Sequence, residues 1–415
     1  MLRWIWQHPD WPHFVWQAEA LAPLLRQVTL AQGALLGRTQ GSEPALNSEF
    51  TLDALLQNIV NSSSIEGESL NVGSVRSSMA RRLGLSDTLN ANSASVDARS
   101  EGLAQMMLDV TANFEAPLTE ARLLQWHTWL FAGDGADNNG LLGRQIRIGE
   151  WRGADVMQVV SGRIDRPTIH FEAPPREGLE ARLAEFVACF NASRSDPALD
   201  PLLRAALVHF WFVTLHPFDD GNGRITRALT DLALAQGEHQ SIRFYAMSVA
   251  ILADRKGYYT QLEAAQKMTA AAASRNLLNP LDPLDPLDLT PWLIWFLNTL
   301  LNAIQTATAQ IDHVLAKSRF WRQVHAQNLS PEQTKVLNRL LDGDQPERSG
   351  FTQGISAAQY QAVARVSKAT ATRHLADLVA RGCLVKLPGG GRSTRYQIQW
   401  PANGDANPTS ASEHP

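Results

Sequence analysis

Apolar residues recur at helical spacing over most of the chain. Leu21, Leu24, Leu25, Val28, Leu35 and Leu36 follow the i, i+3, i+4 rule, and Leu52, Leu55, Ile59 and Ile65 repeat it. This predicts helix from about 17 to 60. The run Asn61-Ser62-Ser63-Ser64-Ile65-Glu66-Gly67 is expected to break it, with Gly67 suited to a C-terminal cap. Residues 86–96 are rich in Ser and Asn and read as a connection. Helical periodicity returns from Arg99 to Leu130, and again over Leu179–Phe190, Leu202–Leu215 and Ile225–Ala235. Asp200-Pro201 marks a helix start. Period-two alternation is confined to Val156–Val160 and Thr168–Phe171, which predict a β-hairpin turning at Ser161-Gly162. It is the only strand pair expected in the first 320 residues. Leu281–Asp288 repeats a Leu-Asp-Pro triplet that forbids helix, and Thr290-Pro291 opens the next one.

A different pattern starts near Ser330. Ser330-Pro331-Glu332-Gln333 and Ser356-Ala357-Ala358-Gln359 are capping boxes. A third helix runs from Ser367 to Arg381. Leu384–Leu387, a Gly389–Gly391 turn and Ser393–Ile398 form a second hairpin, and the polar tail 401–415 is expected to be disordered. Three helices and a Gly-tipped hairpin read as a winged helix-turn-helix. The fold class is therefore mainly α. The expected divisions are an N-terminal helical domain (1–98), a helical core with the first hairpin (99–320), the winged helix (325–400) and the tail.

Composition adds little. The 415 residues are 44% hydrophobic and 19% charged, with a net charge of -4, so any nucleic-acid or membrane affinity must be local. Cys189 and Cys383 lie in helix- or strand-like contexts, which argues against a disulfide framework and fits a reducing cytoplasm. The N-terminus lacks the features of a signal peptide, and no apolar run is long enough to span a bilayer. Four of the twelve tryptophans, Trp4, Trp6, Trp11 and Trp16, are expected to anchor the N-terminal segment to the body. The loop Gly133–Gly140 lacks the ligand spacing of a calcium site.

One stretch carries the chemistry: His216-Pro217-Phe218-Asp219-Asp220-Gly221-Asn222-Gly223-Arg224-Ile225-Thr226-Arg227. Pro217 stops one helix, and the next begins after Gly223. The loop therefore sits at a helix N-terminus, where free N–H groups and the dipole favour an anion. Gly221 and Gly223 let a phosphate approach the backbone. Arg224 and Arg227 share the first turn of the helix, and Asp220 supplies a hard oxygen for Mg²⁺. His216 can accept a proton near neutral pH.

The stretch matches the Fic motif, HPFx(D/E)GNGRxxR, at every fixed position. Fic proteins typically transfer AMP from ATP to a hydroxyl side chain of a target protein. The resemblance implies that His216 is the general base, that Phe218 anchors the loop and that Asp220 holds Mg²⁺. It implies that Gly221, Asn222 and Gly223 line the anion hole, and that Arg224 and Arg227 orient the outer phosphates. Toxin-type Fic kinases carry a lysine at the position of Gly223, so glycine there favours nucleotidyl transfer. The hairpin resembles the Fic flap, in which Val156, Met157, Gln158, Val159 and Val160 would align an extended target segment by strand addition. Tyr258 and Tyr259 resemble a pair that contacts adenine. Ser62, Glu66 and Gly67 match the inhibitory pattern (S/T)xxxE(G/N), which implies that Glu66 binds Arg227 in place of the γ-phosphate. The Trp-rich N-terminus is similar to a poorly characterised domain commonly found before Fic cores.

The resulting expectation is a self-inhibited protein adenylyltransferase using ATP and Mg²⁺. Its acceptor would be Tyr, Thr or Ser on a target protein or on itself, and a homodimer is compatible with the sequence. Two alternatives remain: a DNA-binding regulator with a nucleotide-sensing core, and a hydrolase that removes AMP. Transfer of UMP or phosphocholine is also compatible with the motif. Between Arg365 and Arg395 seven Lys/Arg face one acid, Asp377, giving +6. Lys368, Thr370, Thr372 and Arg373 would meet DNA bases, and Arg392 and Arg395 would meet phosphates from the wing.

Overall fold

In this computed structural model the described residues are 3–40, 44–85, 96–133, 146–163, 166–239, 244–268, 285–324, 328–342, 354–389 and 394–400. The 86–96 connection up to residue 95, the calcium-like loop beyond Gly133, the first half of the Leu-Asp-Pro repeat, the Gly390–Gly391 turn residues, Arg392 and the tail lie outside them. The chain divides into two units, Met1–Thr308 and Ala309–Pro415.

In the first unit, α1 (Ala18–Gln40) and α2 (Pro44–Ile65) are followed by α3 (Val72–Arg82), α4 (Ala98–Ala112) and α5 (Glu120–Leu130). Helix α2 does not break at Asn61. It runs through all three serines to Ile65, and Gly67 (φ 83°) turns the chain. Two of the hydroxyls have partners that suit a helix. Ser64 donates to the Val60 carbonyl at 2.9 Å, and Ser62 is held by Arg227. These partners outweigh the weak helix preference of serine.

The hydrophobic α7 (Pro201–Leu215) packs against α8 (Asn222–Glu238) and forms the centre of the unit. Asp200 caps α7 by accepting from Leu202 N–H at 2.8 Å. Helix α6 (Leu179–Ala192) precedes this pair, and α9 (Met247–Ala253) and α10 (Arg255–Gln266) follow it.

The hairpin pairs β2 (Gln158–Arg163) with β3 (Arg166–Glu172), antiparallel, with an irregularity between Val159 and Val160. Ser161 and Gly162 are not its turn. They lie inside β2, opposite Thr168 and Pro167. Gly162 (φ 90°) takes a left-handed conformation without ending the strand. A second pair was not expected. The two-residue β1 (Phe14–Val15) runs parallel to β4 (Leu287–Asp288). All four N-terminal tryptophans are buried or half-buried, and Trp11 and Phe14 meet Phe210 of α7 edge-on or tilted.

Helix α11 (Thr290–Val324) crosses the division: Trp292 and Phe296 are core in the first unit, Phe320 and Val324 in the second. The second unit contains α12 (Pro331–Leu341), α13 (Ala357–Ala364) and α14 (Lys368–Ala380), with β5 (Leu384–Lys386) antiparallel to β6 (Tyr396–Ile398). Both capping boxes form, at Ser330/Gln333 and Ser356/Gln359. Val336, Leu337, Tyr360, Leu375, Leu378 and Cys383 build its core. Cys189 is exposed on α6. Among the described residues no helix is long and apolar enough to cross a membrane.

Candidate active site

His216 closes α7 in a left-handed conformation (φ 48°), which turns the chain sharply toward α8. Its Nδ1 lies 3.1 Å from the Val213 carbonyl. A carbonyl only accepts, so Nδ1 carries the proton and Nε2 is left with its lone pair. Burial lowers the pKa of His216 and keeps the ring neutral, although the Val213 bond and nearby carboxylates oppose this. A ring in this state can accept one proton at Nε2.

The loop after His216 is braced from several sides. Arg152 donates from Nε to the His216 carbonyl at 2.9 Å, and its own N–H bonds Pro217 O at 2.9 Å. Burial, with Arg176 nearby, brings the Arg152 pKa down to about 10. Phe218 is fully buried and stacks on His127 at 4.2 Å. His127 accepts from Gly149 N–H at 3.0 Å through Nδ1, so Nε2 donates to Asp220 O at 3.2 Å. Burial lowers its pKa to about 4. The Asn222 side chain bonds both the N–H and the carbonyl of Phe218, at 2.9 and 2.8 Å. Asn222 therefore staples the loop with its side chain.

Gly221 (φ 81°) starts α8, and a Cβ there would lie 2.7 Å from Leu130. The first amides of α8 have no intrahelical partners, which makes this end an anion seat. It opens into a cleft of about 720 Å³ lined by His216, Gly221, Gly223, Glu66, Tyr259 and the flap residues Met157 to Ser161. Val156 lies just before β2, with 71% of its surface exposed.

The two arginines are held by carboxylates. Arg227, only 4% exposed, donates to Ser62 Oγ and the Ser62 carbonyl at 2.8 Å each, and to Glu66 Oε1 at 2.7 Å. Its Nη1 is buried without a hydrogen-bond partner. Burial pushes the Glu66 carboxyl up. The charge and hydrogen bond of Arg227, with Arg224 and His216 nearby, more than offset this and hold it below the usual carboxylate range. Arg224 donates to Glu68 at 2.6 Å, and Arg99 donates to the same oxygen at 2.5 Å. Nothing in the sequence pattern marked Glu68, Arg99, His127 or Arg152, because each acts through tertiary proximity.

Both tyrosines line the cleft: Tyr258 is buried, with its hydroxyl 3.1 Å from His209 Nε2, and Tyr259 reaches Glu66 at 3.4 Å. Asp220 is exposed beside the cleft, while Asp219 accepts from the N–H groups of Arg147 and Gly153. Among the described residues no group of three or more His, Cys, Asp or Glu could hold a metal. A single carboxylate suits a Mg²⁺ that arrives on phosphate oxygens. In the second unit Lys368, Thr372 and Arg373 share the exposed face of α14. Ser367 caps α14 by accepting from Thr370 N–H, with the two hydroxyls 2.9 Å apart, and Arg395 is tied to the Gly354 carbonyl at 2.9 Å.

The family model described as Fic/DOC family matches residues 117–234, a span that contains this whole loop. Residues 117–234 of the chain thus match a Fic domain. A model described as a domain of unknown function, DUF4172, matches residues 4–85. "Protein adenylyltransferase Fic" of Culex quinquefasciatus is 27% identical over 222 residues, covering 49% of this chain and 39% of that protein. "Protein adenylyltransferase fic-1" of Caenorhabditis briggsae is 45% identical over 53 residues, covering 13% and 10%. The chain thus spans well under half the length of these relatives. A Fic family protein from Desulfovibrio desulfuricans G20 aligns over 93% of this chain and 97% of its own, with TM-score 0.45 and 18% identity. A Fic domain containing signalling protein from Bacteroides thetaiotaomicron VPI-5482 aligns over 70% and 97%, with TM-score 0.47 and 19% identity.

Proposed function

We propose that the chain is a protein adenylyltransferase that moves AMP from ATP to a hydroxyl of a target protein or of itself, and that Glu66 holds it inactive at rest. The observation that carries this reading is the free Nε2 of His216, opening onto the same cleft as the N-terminal seat of α8 and the flap. The target hydroxyl gives its proton to Nε2 while its oxygen attacks the α-phosphorus, and pyrophosphate leaves. The amides of Gly223 and its neighbours, with Arg224 and Arg227, hold the phosphates. Asp220 would hold Mg²⁺, which supplies charge neutralisation on the phosphates when bound. The free edge of the flap hairpin would take an extended target segment as an added strand.

Glu66 supports the resting state because it occupies Arg227 beside the seat. A Cβ on Gly223 would lie 2.1 Å from Glu66 Oε1, so the carboxylate lies directly against the first turn of α8. ATP labelled at the α- or γ-phosphate tests the reading. Label from the α-position, raised by Glu66→Gly and abolished by His216→Ala, supports it. Label from the γ-position alone refutes it, and equal labelling of wild type and Glu66→Gly refutes the restraint. The exposed basic face of α14 supports a second role, duplex DNA binding by a winged-helix module.

A further inference from the structure

The apolar face of the flap has a cover supplied from far away in sequence. Met157, Val159, Ile169, Phe171 and Ala173 form one small cluster, and it closes around Trp4 and Trp6. Trp4 is 2% exposed and meets Phe171 edge-on at 5.4 Å. Trp6 donates its indole N–H to the Glu172 carbonyl at 2.7 Å. Glu172 is the last residue of β3 and pairs with Gln158, the first of β2, so this bond fixes the root of the ladder. The same turn is fastened to the end of α10, where Met268 N–H donates to Arg3 O at 3.0 Å and Trp4 bridges Lys267. A two-stranded hairpin by itself is marginal in water and needs a packed face to hold its shape.

We infer that Trp4 and Trp6 are positioning residues for the flap. The segment matched as a domain of unknown function would then govern both halves of the reaction: its start sets the strand that receives the target, and its residue Glu66 governs the nucleotide seat. This rests on the adenylyltransferase reading only for the flap's purpose; the support of the hairpin is independent of it.

The mildest perturbation is Trp6→Phe, which keeps an aromatic ring and removes the N–H. Trp4→Ala removes the cover, and Trp4→Phe restores most of it. Hydrogen exchange of the full-length variants reads the flap amides, with α7 and α8 as the internal reference. Trp4→Ala is expected to speed flap exchange roughly tenfold or more while the reference helices stay unchanged, with a smaller increase for Trp6→Phe and recovery for Trp4→Phe. In a Glu66→Gly background, ATP affinity should be unchanged and turnover of α-label onto the acceptor should fall. Flap protection equal to wild type overturns the inference, as does exchange that rises equally in α7 and α8, or a parallel loss of ATP affinity. Absence of α-label in Glu66→Gly itself sinks the adenylyltransferase reading instead, and the exchange and ATP-affinity measurements still decide this one.

Discussion

Gly223→Ala puts a methyl where Glu66 lies. The added Cβ would sit 2.1 Å from Glu66 Oε1, 3.0 Å from Cδ and 3.2 Å from Arg227 Nη1. Gly223 has ordinary helical backbone, so alanine itself is unstrained, and the main penalty is the displacement of Glu66, with Arg227 Nη1 yielding slightly as well. Breaking a buried ion pair costs about 3–5 kcal/mol. The Glu66 side chain is 29% exposed, and Arg227 keeps both Ser62 contacts, which brings the figure down to about 2–3 kcal/mol. Alanine in place of glycine returns up to about 1 kcal/mol through helix propensity. The net cost in wild type is thus about 1–2 kcal/mol. With Glu66→Ala already present the clash is gone, and the same substitution should be neutral or slightly stabilising. Urea unfolding of the four proteins, followed by tryptophan fluorescence, gives the cycle. Additivity of the two changes within about 0.5 kcal/mol would show that the carboxylate does not occupy that space.

Glu68→Gln should cost about 1–2 kcal/mol, because it leaves Arg224, 2% exposed at its side chain, without its main carboxylate partner; equal urea midpoints would contradict this. His127, buried neutral with a pKa of about 4, binds fewer protons folded than unfolded below pH 6.5. Stability should therefore fall by about 1.5 kcal/mol between pH 6.5 and 5 from this ring, and His127→Gln should flatten that slope. The folded pKa of Glu66 is depressed, so its pair with Arg227 stays intact from neutral pH down to the usual carboxylate range and is lost only as pH falls through a lower value. Restraint of ATP binding by Glu66 should then be constant between pH 6 and 8 in a titration with labelled nucleotide. Replacing Lys368 and Arg373 by Glu should lower the salt dependence of duplex DNA binding by about one unit of slope each; an unchanged slope would show that this face does not meet phosphates.

The nucleotide loop was legible because its parts are local. Pro217, the two glycines and both arginines act within twelve residues of His216, and spacing alone brings them together. The likeness to the inhibitory pattern pointed to Glu66, and the structure puts its carboxylate 2.7 Å from Arg227. The flap's length was not, since Ser161-Gly162 has the composition of a turn while the ladder continues past it. The serines of α2 misled for a related reason: their intrinsic preference is for loops, and a distant arginine decides otherwise. Glu68, Arg99, His127 and Arg152 carry no local signature at all. Each is an ordinary polar residue whose role comes from what the fold places beside it. Asn222 was found, and the structure adds that its side chain bonds both backbone groups of Phe218.

The pairing of β1 with β4 joins residue 14 to residue 287. A ribosome adding about 5–20 residues per second needs tens of seconds to cover that distance. Throughout that interval Phe14 and Val15 lack their strand partner, and for most of it Trp11 and Phe14 also wait for Phe210. Arg227 likewise emerges long after Glu66. The nascent chain therefore carries aromatic side chains that must be kept from other molecules until synthesis is well advanced, and the Glu66–Arg227 pair can form only after the loop that follows His216 has been made.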